Sequence, residues 1–337
     1  MPVSVALIGA DQSGKTTLYT ALTHGRGHDG VGMVDVPDAR LGQLTGAVHP
    51  KKTTPAQVRL VDAPPGSRAQ RIAAAREADV VVEVARCFGA GAEPAGELDS
   101  LTVDLVLTDL ATVEKRLDVV GKELRVGKKE RALEAEALTA ARAHLDAGRP
   151  LRSLSIDPEQ AAFLEPIFPV SGKPAVVVAN VGDDQLPDGG PIVEAVRAVA
   201  EAQGASVLVV CAQLEAELAE LDPAEAEELR ASYGLAQGGL DGVARAVWSA
   251  GGLITYFTAG EPEVRAWPCE QDAPAPVAAG VIHSDFERHF IRAEVTSVNE
   301  LVEAGSMEAL RAAGKLRVEG RDYRVQDGDV VFFRIGR

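Results

Sequence analysis

Apolar residues follow two rhythms along this chain. Short uninterrupted runs, Val3 to Ile8, Gln57 to Val61, Val80 to Ala85, Ala175 to Ala179 and Ser206 to Cys211, alternate with segments of helical spacing. Runs without a polar face predict parallel strands covered on both sides, the pattern of an α/β sheet. Between the third and fourth runs, Val103, Val106, Leu110, Val113, Leu117, Val120 and Leu124 recur at steps of three and four, one stripe of a long helix. Gly127-Lys128-Lys129 interrupts the stripe, and Glu130 to Ala147 resumes it with Leu138, Ala141 and Leu145. The pattern predicts an antiparallel helical hairpin inserted into the sheet domain. From Leu253 the texture changes to short strand-like pieces, Val277 to Ile282, Phe290 to Val295 and Val330 to Ile335, with Asp327-Gly328 and Glu319-Gly320 as turn signals. These predict a separate small α+β module.

Composition narrows the function. A chain of 337 residues exceeds one compact core of ordinary size, so two or three domains are expected. An aromatic content of 4% argues against a base-stacking platform, and a net charge of -16 opposes non-specific attraction to polyphosphate, so a DNA partner is not expected. Any RNA contact needs a local basic patch. Cys87, Cys211 and Cys269 are odd in number and form no CxxC pair, which fits buried thiols in a reducing compartment and no zinc site. The first apolar stretch, Val3 to Ala10, has no basic leader and reads as a strand; no run approaches the ~20 residues that span a bilayer. A cytoplasmic protein without a membrane partner is expected.

The candidate chemistry begins at Gly9-x4-Gly14-Lys15-Thr16. In such a loop the backbone N–H groups of Gln12, Ser13, Gly14, Lys15, Thr16 and Thr17 would surround phosphate. Lys15 would neutralise the β and γ oxygens, and the Thr16 hydroxyl would coordinate Mg²⁺. A strand before the loop and helical spacing after it at Leu18, Ala21 and Leu22 would aim a helix N-terminus at the anion. The strand ending at Val61 delivers Asp62 as the second metal group, and Lys15 and Asp62 are the catalytic candidates. A switch of the Asp-x-x-Gly type would follow, but the chain reads Asp62-Ala63-Pro64-Pro65-Gly66: Pro65 has no N–H to donate, and the glycine falls one residue late. His24 to Asp38 contains no threonine to close on the metal, and Thr53 and Thr54 lie too near the next strand to be first choices. Glu83, Arg86, His283 and His289 read as structural.

Asn180-Val181-Gly182-Asp183 follows the fourth strand. Guanine-specific sites carry Asn-Lys-x-Asp there; Val181 replaces the lysine, while Asp183 remains able to accept from guanine, so GTP stays open. Cys211 and Ala212, after the last strand, are read as offering a backbone N–H to the base.

These residues, with "ADVVVEVARCF" (78 to 88), "VVVANVGDD" (176 to 184), "VVCAQLEAELAELD" (209 to 222), "LITYFTAGEPEVRAW" (253 to 267), "AAGVIHSDFERHFIRAEV" (278 to 295) and "AGKLRVEGRDYRVQDGDVVFFRI" (313 to 335), resemble the YchF or Obg-like ATPases of the TRAFAC class. The resemblance covers nearly the whole chain. It implies a Ras-like P-loop NTPase domain over 1–98 and 166–250, a helical coiled-coil insertion over 99–165, and a TGS-like β-grasp domain over 251–337. It also implies ATP in preference to GTP, with Mg²⁺, and association with the ribosome in translation. Departures cluster on one side. The family's Pro-Phe-Cys-Thr first switch is missing, the Gly-rich second switch has shrunk to Ala63 to Ala69, the third-strand histidine is Glu83, and Asp183 stands for the usual glutamate. The expected protein binds nucleotide and hydrolyses it slowly or not at all; the alternative is a non-catalytic, nucleotide-gated binding module.

Arg125, Lys128, Lys129 and Arg131 at the hairpin tip form the densest basic run and are the candidate RNA contacts. Lys315, Arg317, Arg321 and Arg324 alternate along an expected hairpin of the last module as a second patch. The chain is expected to act as a monomer.

Overall fold

The structure, a computed structural model, describes residues 3–62, 68–235 and 238–336. Its strands in chain order are β1 (Ser4–Gly9), β2 (Val31–Val36), β3 (Thr53–Thr54), β4 (Ala56–Asp62), β5 (Val80–Arg86), β6 (Ala175–Asn180), β7 (Ser206–Val210), β8 (Leu253–Ala259), β9 (Val264–Glu270), β10 (Phe290–Ser297), β11 (Arg317–Glu319) and β12 (Asp329–Ile335). The first five helices are α1 (Lys15–Leu22), α2 (Ala39–Val48), α3 (Arg68–Glu77), α4 (Pro94–Arg125) and α5 (Ala132–Asp146).

The first sheet runs β2-β4-β1-β5-β6-β7, and the pairs β1–β4, β1–β5, β5–β6 and β6–β7 are parallel. Its central strands are buried on both faces, as their continuous valine runs require: β5 places Val81 against Ala6, Ile8 and Leu105, while β6 places Val177 and Ala179 against Val193 and Val196 of the helix Gly190–Ala202. Each fully buried aliphatic side chain contributes about 1.5–3 kcal/mol. The registers Leu7 to Asp62, Gly9 to Val84 and Asn180 to Val210 bring the carboxyl ends of β1, β4, β5, β6 and β7 to one edge, the place where parallel sheets bind ligands.

α4 starts on Pro94, which tolerates the first turn because its missing N–H has no helical partner there, and ends on Lys122 and Arg125, cations favoured by the helix dipole. Its first turns cover the sheet through Leu98, Leu101 and Leu105. Beyond them Val106, Val113 and Val120 pack on Leu138, Ala141 and Leu145 of α5, with Leu110, Leu117 and Leu124 half-buried beside them. This is the expected helical hairpin. Val103 is the correction: it is exposed, because at that level the helix turns Leu101 and Leu105 toward the sheet. A repeat of seven also drifts about 20° per heptad on a helix of 3.6 residues per turn, so the stripe leaves the seam at its end.

The second sheet runs β11-β10-β12-β8-β9-β3. The hairpin β8–β9, a helix over Ala275–Ile282, then β10 and β12, with β12 parallel to β8 in the centre, make the β-grasp arrangement expected of the last module. Two expectations fail here. Val277 to Ile282 is helical, burying Ala275, Ala278 and Ala279 at helical spacing. β11 and β12 do not pair, since β10 lies between them, so neither Glu319-Gly320 nor Asp327-Gly328 closes a hairpin of paired strands, and the four basic residues do not alternate along one.

Contacts group the chain into two compact units. One holds residues 4–33 and 59–247, including the helical hairpin; the other holds 34–58 and 248–337, so α2 and β3 belong with the second sheet. Among the described residues, no helix is long and apolar enough to cross a membrane.

Candidate nucleotide-binding site

β1 ends at Gly9, where a Cβ would lie 2.5 Å from the Val84 carbonyl oxygen and 3.0 Å from Ser13 Oγ. The loop beyond it turns through left-handed residues, Gln12 at φ 61 and Gly14 at φ 88. Gly14 is required twice, because a Cβ there would also collide with Asn180 Nδ2. α1 begins immediately at Lys15, so the free N–H groups of its first turn face the loop. Lys15 curls back and donates from Nζ to the carbonyl oxygens of Gly9 (3.1 Å) and Ala10 (2.7 Å). Burial lowers the Lys15 pKa, opposed by the charges of Asp62 and Asp11. Thr16 donates from Oγ1 to Asp62 Oδ2 at 3.0 Å. Burial raises the Asp62 pKa, opposed by that hydroxyl and by Lys15. Ser13 is buried; Asp11, Gln12, Thr16 and Thr17 are exposed.

Thr16 and Asp62 also offer the oxygen donors a hard divalent cation prefers, and Asp62 Oδ1 is buried without a hydrogen-bond partner. The residues present therefore fit Mg²⁺. Among the described residues, no group of three histidine, cysteine or acidic side chains is placed to hold a metal by itself.

Asn180 ties the two halves of the site. It is buried at the end of β6, donates from Nδ2 to the Ser13 carbonyl (2.9 Å), and accepts at Oδ1 from the Ala212 N–H (3.0 Å). The Ala212 N–H, expected to serve the base, is engaged in this brace, and Ala212 lines the cavity beside it. Beside this junction lies a cavity of about 390 Å³ running from Gly14 and Thr17 to Val181, Asp183, Cys211 and Leu214, with Phe88 and Tyr233 also on its walls. Val181 lines the cavity but is buried in the core packing beneath it, its N–H held by the Val210 carbonyl at 2.9 Å, and its short side chain lacks the reach of a lysine stem. Asp183 has both oxygens engaged: Oδ1 accepts from the Asp184 N–H (3.0 Å) and Oδ2 from the Tyr233 hydroxyl (3.4 Å). Cys211 caps the following helix, its Sγ accepting from the Leu214 N–H at 3.5 Å, and burial pushes its thiol up. Phe88 and Tyr233 are aromatic cavity residues that the sequence did not single out. Phe88 follows β5 directly and a position count from the strand end would have found it; Tyr233 arrives from a distant helix and left no local signal.

The terminal-phosphate side is sparser. Gly30 accepts from the Asp62 N–H at 2.8 Å, and the chain passes straight into β2. Thr54 donates to Glu263 at 2.6 Å in the second sheet's unit. Pro65 and Gly66, expected to weaken the second switch, lie outside the described residues. Glu83 is buried and paired with Arg152 at 3.1 Å, and Arg86 pairs with Glu97 at 3.5 Å, both structural roles as expected. His283 caps a short helix, its Nδ1 accepting from the Asp285 N–H at 3.2 Å.

At the hairpin tip, Lys128 and Arg131 are tied to Glu123 at 2.7 and 2.9 Å, and Arg131 also reaches Glu134 at 2.8 Å. Arg125 and Lys129 are exposed beside them. In the last module Arg321 donates to the Phe290 carbonyl (3.0 Å) and Arg324 to that of Asp272 (2.8 Å).

Known proteins place this architecture. A family model for the C-terminal region of YchF GTPases, described as "Protein of unknown function (DUF933)", matches residues 253–336. Over 99% of both chains the sequence is 36% identical to the ribosome-binding ATPase YchF of Bacillus subtilis and 34% identical to that of Escherichia coli. The solved YchF GTPase of Schizosaccharomyces pombe shares the fold, with a TM-score of 0.87 at 23% identity over 98% of this chain and 97% of that one. Full-length similarity at this level, together with the matching C-terminal module, establishes that the chain belongs to the YchF family.

Proposed function

We propose that this chain binds ATP in preference to GTP, with Mg²⁺, hydrolyses it slowly, and associates with the ribosome. The observation that carries the reading is the Asn180 brace, which fixes the phosphate loop against a cavity of about 390 Å³. A bound diphosphate would draw the Lys15 ammonium away from the Gly9 and Ala10 carbonyls onto its own oxygens, exchanging neutral acceptors for charged ones. Thr16 and Asp62 would hold Mg²⁺, which neutralises phosphate charge when bound. The preference for adenine is supported by the relatives named ATPases and by Val181, which stands where a guanine site carries lysine; Asp183 accepts one local bond at each oxygen and keeps lone pairs for a base. Slow turnover rests on what the first switch lacks: His24 to Asp38 supplies no hydroxyl to close on the metal. Ribosome association is supported by full-length relatives named ribosome-binding ATPases and by the exposed Arg125 and Lys129 at the tip.

The test is calorimetry with ATP and GTP in Mg²⁺ buffer, joined to single-turnover hydrolysis, comparing the natural chain with Lys15→Ala. Binding lost with Lys15 supports the site, and turnover lost with it supports the enzyme. Tight binding with no turnover in the natural chain supports a nucleotide-gated module, and a tenfold preference for GTP overturns the base assignment. Co-sedimentation with ribosomes should weaken in a Lys128→Glu, Lys129→Glu variant; unchanged sedimentation clears the tip of that role.

A further inference from the structure

At the start of the phosphate loop, Gly9 and Ala10 line a second cavity of about 570 Å³, walled also by Arg71 of α3 and by Glu93, Gly96 and Glu97 at the start of α4. Arg71 brings a positive charge to that wall. Its guanidinium lies 3.7 Å from Asp104 Oδ2, a loose pairing, and the same carboxylate is held more closely by Arg68, Nε to Oδ1 at 3.0 Å. Asp104 therefore keeps a partner if Arg71 leaves. Of the two acids on the wall, Glu97 is paired with Arg86 at 3.5 Å, which offsets its repulsion of an anion. Arg71 is also near enough to the loop for its charge to help depress the Lys15 ammonium, behind the larger effect of burial and against the pull of Asp62 and Asp11.

We propose that Arg71 reads the terminal phosphoryl group: in the ATP-bound protein its guanidinium leaves Asp104 for the γ-phosphate beside Gly9 and Ala10, and in the ADP-bound protein it returns. A planar guanidinium matches phosphate oxygens through paired N–H donors and stays charged at every working pH. Its place on α3, the helix that follows Asp62, lets one side chain distinguish triphosphate from diphosphate where the first switch supplies no threonine. The inference rests on the nucleotide site proposed above and adds to it the residue that sets ATP against ADP.

The experiment is calorimetry of the full chain with a non-hydrolysable ATP analogue and with ADP, each with Mg²⁺, for the natural protein, Arg71→Gln and Arg68→Gln. Arg71→Gln should weaken the analogue about ten- to a hundredfold, the range for a lost bond to a charged group, and leave ADP unchanged. Unchanged ADP affinity also shows that the variant is folded. Arg68→Gln, which takes away the other partner of Asp104 and so holds Arg71 back, should lower the ratio of the two affinities by less than Arg71→Gln does. Asp104→Asn, which removes the charge of one partner of Arg71, should hold or raise the preference for the analogue. An unaltered ratio in Arg71→Gln, or an equal loss for both ligands, overturns the proposal while leaving the nucleotide site standing. A natural chain that binds neither ligand removes both.

Discussion

Replacing Asn180 by alanine removes both bonds of the brace and leaves the Ser13 carbonyl and the Ala212 N–H without the partners they had in a buried junction. A net hydrogen bond is worth about 0.5–1.5 kcal/mol, and a buried group left unpaired costs about 1–3 kcal/mol, so the expected destabilisation is about 2–4 kcal/mol. The effect should be local before it is global. The amide of Ala212 donates to Asn180 Oδ1, so hydrogen exchange read by mass spectrometry should accelerate there by roughly ten- to a hundredfold, since each 1.4 kcal/mol is a factor of ten. Asn180→Asp separates the two bonds. Its carboxylate still accepts from Ala212 but faces the Ser13 carbonyl with like charge, so stability should fall while protection at Ala212 persists. An Asn180→Ala protein with an unchanged urea midpoint and unchanged exchange at Ala212 would refute the reasoning.

Gly14→Ala adds a left-handed alanine and a clash with Asn180 Nδ2, so nucleotide affinity should fall more than tenfold and the thermal midpoint should fall with it; equal nucleotide affinity by calorimetry would contradict the geometry. Glu83→Ala strands Arg152 in the core and should cost about 3–5 kcal/mol in urea unfolding, whereas Glu83→Leu with Arg152→Met should recover most of it, because an apolar pair needs no desolvation. Glu294 is held at about 2 by hydrogen bonds from Arg334 and Arg311 and by their charges, against the opposing effect of burial. Its folded value lies below the ordinary 4.5, so its contribution, about 1–2 kcal/mol after solvent screening, is complete above pH 4.5 and is lost as pH falls toward 2. Glu294→Gln should flatten acid unfolding in that window, followed by the fluorescence of Trp267 in the same sheet.

The legible parts of the fold were those whose pattern admits one solution. The valine runs of β5 and β6 are apolar at every position and too short for buried helices, which leaves a strand covered on both faces. Val277 to Ile282 is equally short and equally apolar, and there periodicity decides nothing; the helix wins because Ala275, Ala278 and Ala279 together present a small-residue face to Tyr256 and Phe290. In the site, the phosphate loop and Asn180 could be read because local spacing defines them. Tyr233 and Arg71 could not, because their positions come from how separate elements pack.

The two sides of the site differ in how far the fold depends on them. Asn180 and Val181 continue β6 into the core, and Ser13 is buried beneath the loop, so changing any of them disturbs packing as well as chemistry. The first-switch stretch carries no comparable obligation: between His24 and Gly30 the chain is a turn whose structural duty is met by the Gly30 carbonyl on the Asp62 N–H. A catalytic hydroxyl can therefore be absent from it at no cost in stability. On the proposed site, binding would be maintained by the same hydrogen bonds that hold the domain together, whereas hydrolysis would depend on surface groups the domain does not need. Stability and nucleotide affinity should accordingly fall together in variants of the base side and separate cleanly in variants of the terminal-phosphate side.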